Sequence, residues 1–210
     1  MKIKALSRLF AGVAAAFVMS GALAQDKPAE IKLGISMFLS GPASVFGVPA
    51  KSAAELYIEQ MNVAGGIGGV KLSPTFIDEG LGPDKLLSEY RRLVQESGAK
   101  VMISANASGN CNIVAPVAED LKVLNIMWDC GTEKLLEDRR FKYVFRTQAN
   151  GTTEMVATVL YLLKTKPDLK TIAVMNQDYA WGRDSWELFR NMLLAIKPLS
   201  LIHISEPTRP

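Results

Sequence analysis

The sequence predicts an α/β fold: a parallel sheet with helices on both of its faces. Three observations carry that prediction. Short apolar runs alternate with amphipathic helical patterns along most of the chain, the links between them are short, and each run is bounded by glycine, proline or small polar residues. Strands and helices in strict alternation require right-handed crossovers between parallel neighbours.

The strands are expected at Ile31–Met37, Lys71–Ile77, Val101–Ala105, Leu124–Trp128, Tyr143–Arg146 and Thr171–Met175. Helices are expected over Pro49–Val63, Pro83–Ser97, Ile113–Leu121, Thr152–Lys164 and Trp181–Ile196. The second helix is the clearest. Leu86, Leu87, Tyr90, Leu93 and Val94 fall on one stripe, Pro83 suits a first turn and Gly98 an end.

Both ends of the chain read differently. Residues 1–24 have the form of a secretory signal peptide: Lys2, Lys4 and Arg8 precede an alanine-rich apolar run, Leu9–Leu23, and Ala22-Leu23-Ala24 fits the small-x-small cleavage rule. That run is short of the roughly 20 apolar residues a spanning helix needs. The mature chain is then expected to start at Gln25, after export. At the other end, Leu199–Arg209 lacks helical or strand periodicity and resembles the translation of a transposon adapter used in sequencing libraries, so residues 199–210 are expected to be a non-native tail. The formal net charge is +3, from 24 basic and 21 acidic residues. Removing Lys2, Lys4, Arg8 and Arg209 from the first set and Glu206 from the second brings the balance to zero. No nucleic-acid footprint is expected from such a chain.

The one histidine, His203, lies in the tail. The rest of the chain therefore holds no Ser-His-Asp or Cys-His catalytic set and no histidine-bearing metal site. Gly65-Gly66-Ile67-Gly68-Gly69 follows a predicted helix and precedes a strand. A phosphate cradle needs the opposite order, so these glycines read as a helix end and a tight turn. The informative loops follow the strands: Ser40–Gly47, Asn106–Cys111, Asp129–Thr132 and Gln177–Gly182. In open α/β sheets, ligands bind beyond the carboxyl ends of the strands. Hydroxyls, side-chain amides and helix-start amides in that place suit a small zwitterion.

The segments S-G-P-A-S-V-F-G (Ser40–Gly47), N-V-A-G-G-I-G-G (Asn62–Gly69), A-P-V-A-E-D (Ala115–Asp120), Y-V-F-R-T (Tyr143–Thr147) and D-Y-A-W-G (Asp178–Gly182) occur in the order and spacing of a known family. From Ile31 to about Ile196 the chain resembles the Leu/Ile/Val-binding, type I periplasmic binding proteins of ABC importers. The resemblance implies two lobes with a ligand cleft between them: an N-terminal lobe over 25–147 and the start of a second over 148–198, cut off before that lobe is complete. It implies a non-enzymatic, monomeric binder of a small amino-acid-like solute, most simply a branched-chain amino acid, with a membrane permease as partner and no cofactor, metal or nucleic acid. A short amide, a urea-like or aromatic-acid solute, or a ligand-sensing receptor role, are the alternatives.

Residue by residue, the resemblance places the first-loop aromatic on Phe46, the carboxylate-holding serine on Ser108 beside Asn106, the ammonium-holding loop on Gly131-Thr132 and the second-lobe aromatic on Trp181. Phe46 and Trp181 also suit core aromatics, and Ser108 and Thr132 suit helix caps. The chain departs from the family after its fourth strand, where Trp128-Asp129-Cys130-Gly131 replaces a hydroxyl-rich or Gly-Ala run. Asp129 is a candidate partner for an ammonium group and would repel an acidic ligand. Gln148-Ala149-Asn150 lacks the usual acidic residue, and Asn150 is the substitute candidate. Cys111 and Cys130 follow neighbouring strands at one edge, which admits either a disulfide or two buried thiols.

Overall fold

The computed structural model describes residues 27–104, 107–148, 150–197 and 200–206. The leader segment 1–24 and Asn106 lie outside the described residues. The first sheet is five-stranded and wholly parallel, in the order β2-β1-β3-β4-β5. Its strands are β1 (Glu30–Met37), β2 (Lys71–Asp78), β3 (Val101–Ser104), β4 (Leu124–Met127) and β5 (Val144–Arg146). Three helices connect them: α1 (Ser44–Val63), α2 (Pro83–Gln95) and α3 (Ser108–Leu121), with a 3-10 turn at Glu79–Leu81.

Alternation along the strands decides which helix covers which face. Leu33, Ile35 and Met37 of β1 point to one face with Leu72, where Ile58, Ala50 and Met61 of α1 cover them. Met102 of β3 and Met127 of β4 point to the other face, packed with Leu86, Tyr90 and Leu93 of α2 and Val114 and Ala118 of α3. Gly34 belongs to this second face. A Cβ there would lie 2.4 Å from the Met102 side chain, so the missing side chain lets β3's methionine cross over β1.

Two helices begin earlier than their periodicity predicts. α1 starts at Ser44, which leaves Pro49 inside it, and α3 starts at Ser108, which leaves Pro116 inside it. The first turns of both are glycine-bearing and polar or exposed, so no buried stripe marks them. The glycine run is a turn: Gly65, Gly66, Gly68 and Gly69 all have positive φ. A Cβ on Gly66 would meet the Val70 carbonyl oxygen at 2.0 Å. Asn62 closes α1 against β2, donating to the Leu72 carbonyl at 2.8 Å and accepting from its amide at 2.7 Å.

The chain continues into α4 (Gly151–Thr165), β6 (Thr171–Gln177), α5 (Ala180–Ile196) and β7 (Ser200–Glu206), with β6 and β7 paired in parallel as a second sheet. Val159, Phe189 and Leu193 form the core of this second unit. The tail stretch expected to lack strand character is strand β7 in the structure, in register from Thr171–Ser200 to Gln177–Glu206. Leu201-Ile202-His203-Ile204 is rich enough in β-favouring residues to take the place beside β6. Val156, Leu160 and Tyr161 on α4 and Met175 on β6 remain exposed. No helix among the described residues is long and apolar enough to cross a membrane.

Below β1 an acidic pair gathers the strand ends. Asp78 accepts from the amides of Leu39 (2.8 Å), Ser40 (3.2 Å) and Gly80 (2.8 Å). Buried Glu79 accepts from the Ser36 hydroxyl at 2.6 Å and from Asn110 of α3 at 2.7 Å. Partial burial works to raise the Asp78 carboxyl's pKa, but the Ser40 hydroxyl and the three amides outweigh it and hold the carboxyl below its ordinary 3.8. A carboxylate depressed in the folded state stabilises above its unfolded pKa and loses that contribution as pH falls through the folded value. The thermal midpoint of the wild type should therefore fall more steeply below pH 4 than that of Asp78→Asn, which a melting series from pH 5 to 2 would read.

Candidate functional site

Strand order reverses between β1 and β3, and the cleft opens beyond their carboxyl ends, as the topology requires. It has a volume of about 280 Å³ and is lined by Ala43 and Phe46 of the α1 start, Ala107 and Ser108 of the α3 start, Asp129 and Gly131 after β4, Gln148 after β5, Glu154 on α4, and Tyr179 and Trp181 at the α5 start. Phe46, Ser108, Asp129, Gly131 and Trp181 thus share one cleft. Asn106, beside Ser108, lies outside the described residues.

Each of these five is held for a reason. Phe46 lies in the first turn of α1 and is 68 % exposed, which removes the core-aromatic alternative. Gly47 behind it lets α1 sit on the Phe38 backbone, whose oxygen a Cβ would meet at 1.9 Å. Ser108 is 3 % exposed and is the first residue of α3, not its cap; the cap position is Ala107, which offers no side-chain acceptor. The start of α3 stands at the cleft, where a helix start favours an anion. Trp181 lies over two glycines: a Cβ on Gly131 would meet its ring at 2.4 Å and one on Gly151 at 3.2 Å. Gly131 and Gly151 are themselves joined, amide of the second to carbonyl of the first, at 2.9 Å.

Two expected site residues stand elsewhere. Thr132 is fully buried and donates its hydroxyl to Asp184 of α5 at 2.5 Å, while Lys134 pairs with the same carboxylate at 3.0 Å. Arg146 also holds the Thr132 backbone carbonyl, at 2.7 Å. Asn150 is the cap of α4. Its side-chain oxygen accepts from the Thr153 amide at 3.0 Å and hydroxyl at 2.7 Å, and its nitrogen donates to Glu133 at 3.1 Å. It takes that role because α4 starts at the next residue, and an asparagine there has donors to satisfy. Asn150→Ala should cost about 1 kcal/mol of stability and leave ligand affinity within error; a large affinity loss at unchanged stability would return Asn150 to the cleft.

Three cleft residues with polar side chains were not among the candidates the sequence singled out. Gln148, two positions before Asn150, accepts from the amides of Cys130 (2.6 Å) and Gly131 (3.1 Å) and donates to Asp129 at 3.1 Å once its carboxamide is oriented to satisfy both ends. It fixes the loop after β4 and aims the Asp129 carboxylate. Glu154 supplies an acidic group one helical turn past Asn150, and Tyr179 sits within the turn already marked by Trp181. Burial, then the charge of Asp129, raises the Tyr179 phenol above its ordinary value, so it stays a neutral hydrogen-bond donor. Cys111 of α3 and Cys130 beside Asp129 are bonded in the structure, with Cα atoms 6.2 Å apart. No group of three or more metal-ligating side chains occurs among the described residues.

This parallel sheet, with a cleft at its switch point lined in part from a second α/β unit, has the architecture of the type I periplasmic binding fold. The chain belongs to the periplasmic binding protein family, which matches residues 30–197. It is 28% identical over 177 residues to the leucine-, isoleucine-, valine-, threonine- and alanine-binding protein of Pseudomonas aeruginosa, covering 84% of this chain and 46% of that protein. It is 28% identical over 183 residues to the Leu/Ile/Val-binding protein of Escherichia coli, covering 87% and 48%. Among solved structures it resembles a solute-binding protein of an ABC transporter from Rhodopseudomonas palustris BisB5 in complex with 3,4-dihydroxybenzoic acid (TM-score 0.75, 22% identity, 86% of this chain and 48% of that one). It also resembles an ABC transporter substrate-binding protein from Desulfitobacterium hafniense in complex with Leu (TM-score 0.70, 18% identity, 86% and 52%). The chain spans about half the length of these relatives.

Proposed function

We propose that this chain is the N-terminal part of a periplasmic solute-binding component of an ABC importer, and that it takes an amino-acid-like zwitterion rather than a simple carboxylate. In this reading residues 25–147 form lobe one and 148–198 open lobe two. Phe46 and Trp181 hold the ligand from either side of the cleft. The amides that open α3 and the Ser108 hydroxyl take its carboxylate, and Asp129, aimed by Gln148, takes its ammonium group. Lobe two closes over the docked ligand, and the closed form is what a membrane permease recognises. No bond is made or broken. The exposed strip of Val156, Leu160, Tyr161 and Met175 is where the remainder of lobe two would pack.

The observation that carries the reading is the charge of the lining: two carboxylates, Asp129 and Glu154, and no lysine or arginine among the described lining residues. Benzoate-type ligands, which the Rhodopseudomonas neighbour holds, would bring a further negative charge to those carboxylates. The test is a melting-point screen of a protein of the relatives' full length carrying this segment. A native-state ligand at 100 times its dissociation constant stabilises by about 2.7 kcal/mol. A rise with amino acids and none with benzoates is the expected result; a rise with benzoates alone would replace the zwitterion with an aromatic acid.

A further inference from the structure

The boundary between the two α/β units encloses a carboxylate that the apolar cores do not require. Asp184 on α5 is 6 % exposed, while the core of its own unit is Val159, Phe189 and Leu193. It is held from the other unit, by the Thr132 hydroxyl at 2.5 Å and the Lys134 ammonium at 3.0 Å. Thr132 is itself fully buried. Each unit therefore buries a polar group that is answered from across the boundary. Taking a carboxylate out of water is costly, and a buried pair of this kind is weak evidence for stability. What it supplies is position, because a hydrogen bond to a charged group is short and directional.

The place of Asp184 on α5 shows which position is set. Trp181, Asp184 and Leu188 stand at i, i+3 and i+7, on one stripe of the helix. A Cβ on Gly131 would meet the Trp181 ring at 2.4 Å, and one on Gly151 would meet Leu188 at 3.0 Å. Thr132 follows Gly131 directly, so neighbouring turns of α5 rest on adjacent residues of the loop after β4. That loop is a firm seat. Arg146 donates to the carbonyls of Cys130 at 3.3 Å and Thr132 at 2.7 Å, and the Cys111–Cys130 bond holds it from α3. Packing of a ring on glycine backbone is non-directional, whereas the hydrogen bond one turn further on is not. Building on the two-lobed binding reading, we propose that Asp184 is a positioning residue for the site: through Thr132 it fixes where Trp181 stands over the cleft, which Asp184 itself does not line.

The experiment reads Trp181 directly, in a protein of the relatives' full length carrying this segment and labelled with fluorotryptophan. Its fluorine spectrum is recorded without ligand, and the Trp181 resonance is assigned by its loss in Trp181→Phe. In Asp184→Ala the Trp181 resonance is expected to shift. That of Trp186, which packs with Phe189 inside the second unit, should stay in place. Asp184→Asn keeps an acceptor for the Thr132 hydroxyl and should return most of the wild-type position. Thr132→Val removes the donor from the other side and should reproduce the alanine spectrum, which covers the case in which Asp184→Ala does not fold. A Trp181 resonance that stays put in the folded variants overturns the proposal, whatever the melting point does. So does a Trp186 resonance that moves as far as that of Trp181, since the second unit has then loosened as a whole. Calorimetric titration of the same proteins with L-leucine and benzoate tests the binding reading separately. The ligand that binds the wild type should bind Asp184→Ala about tenfold more weakly, within the effect of a displaced tryptophan anchor. A wild type that binds neither counts against the solute reading, and the fluorine spectrum still decides the role of Asp184.

Discussion

Replacing both Cys111 and Cys130 with alanine is expected to lower the unfolding free energy by about 3 kcal/mol, the entropic worth of closing a loop of this size. The two residues are 19 apart in sequence and both are fully buried. Their position makes the loss local as well as global. Cys111 is in the first turn of α3, three residues after Ser108, and Cys130 lies between Asp129 and Gly131. The bond therefore ties the start of α3 to the loop that bears Asp129. Urea unfolding should show a lower midpoint for the double variant, with a slope no shallower than the wild type's because the unlinked unfolded chain exposes more surface, and reductant should bring the wild type to the same midpoint. A wild-type midpoint indifferent to reductant would mean two buried thiols. Alanine is the right replacement, since a serine hydroxyl in either place would be buried without a partner.

The sheet was legible because its signal is local. β1 alternates Leu33, Ile35 and Met37 toward α1, and α2 repeats Leu86, Tyr90 and Leu93 toward the other face; both patterns are visible within a dozen residues. Helix starts were less legible, since Ser44–Gly47 and Ser108–Asn110 carry no buried stripe and owe their helical form to the packed turns C-terminal to them. The cleft was legible only as a set of loops. Which residue of each loop faces inward depends on contacts far along the chain. Thr132 is drawn from the cleft by Asp184, 52 residues away, and Asn150 by a cap that exists only because α4 begins at Gly151. Gln148 and Asn150 look alike in sequence. The difference is that Gln148 faces two backbone amides of the β4 loop, a pairing no periodicity encodes. Strand β7 shows the same limit: its residues favour extension, but only an open edge at β6 gives them a partner.

Gly131→Ala is expected to cut ligand affinity about thirtyfold, near the 2 kcal/mol that marks a tryptophan anchor at a binding interface. The added Cβ would lie 2.4 Å from the Trp181 ring, at 2.8 and 2.9 Å from its neighbouring ring atoms. The ring cannot retreat the other way without leaving Gly151, whose own Cβ position lies 3.2 Å from it. Nor can the loop give way cheaply. The Gly131 amide is held by Gln148 and its carbonyl by the Gly151 amide, so the backbone is fixed from both sides. The substitution therefore has to displace the indole, and Trp181 is, with Tyr179, one of two aromatics that the second unit brings to the cleft. Global stability should change far less than affinity, because Trp181 is only half-buried and belongs to none of the three cores. Titration of the variant alongside its melting curve separates the two effects. A lowered melting point with unchanged affinity would show that the ring braces the two units against each other and that the ligand is held by Phe46 and the helix starts without it.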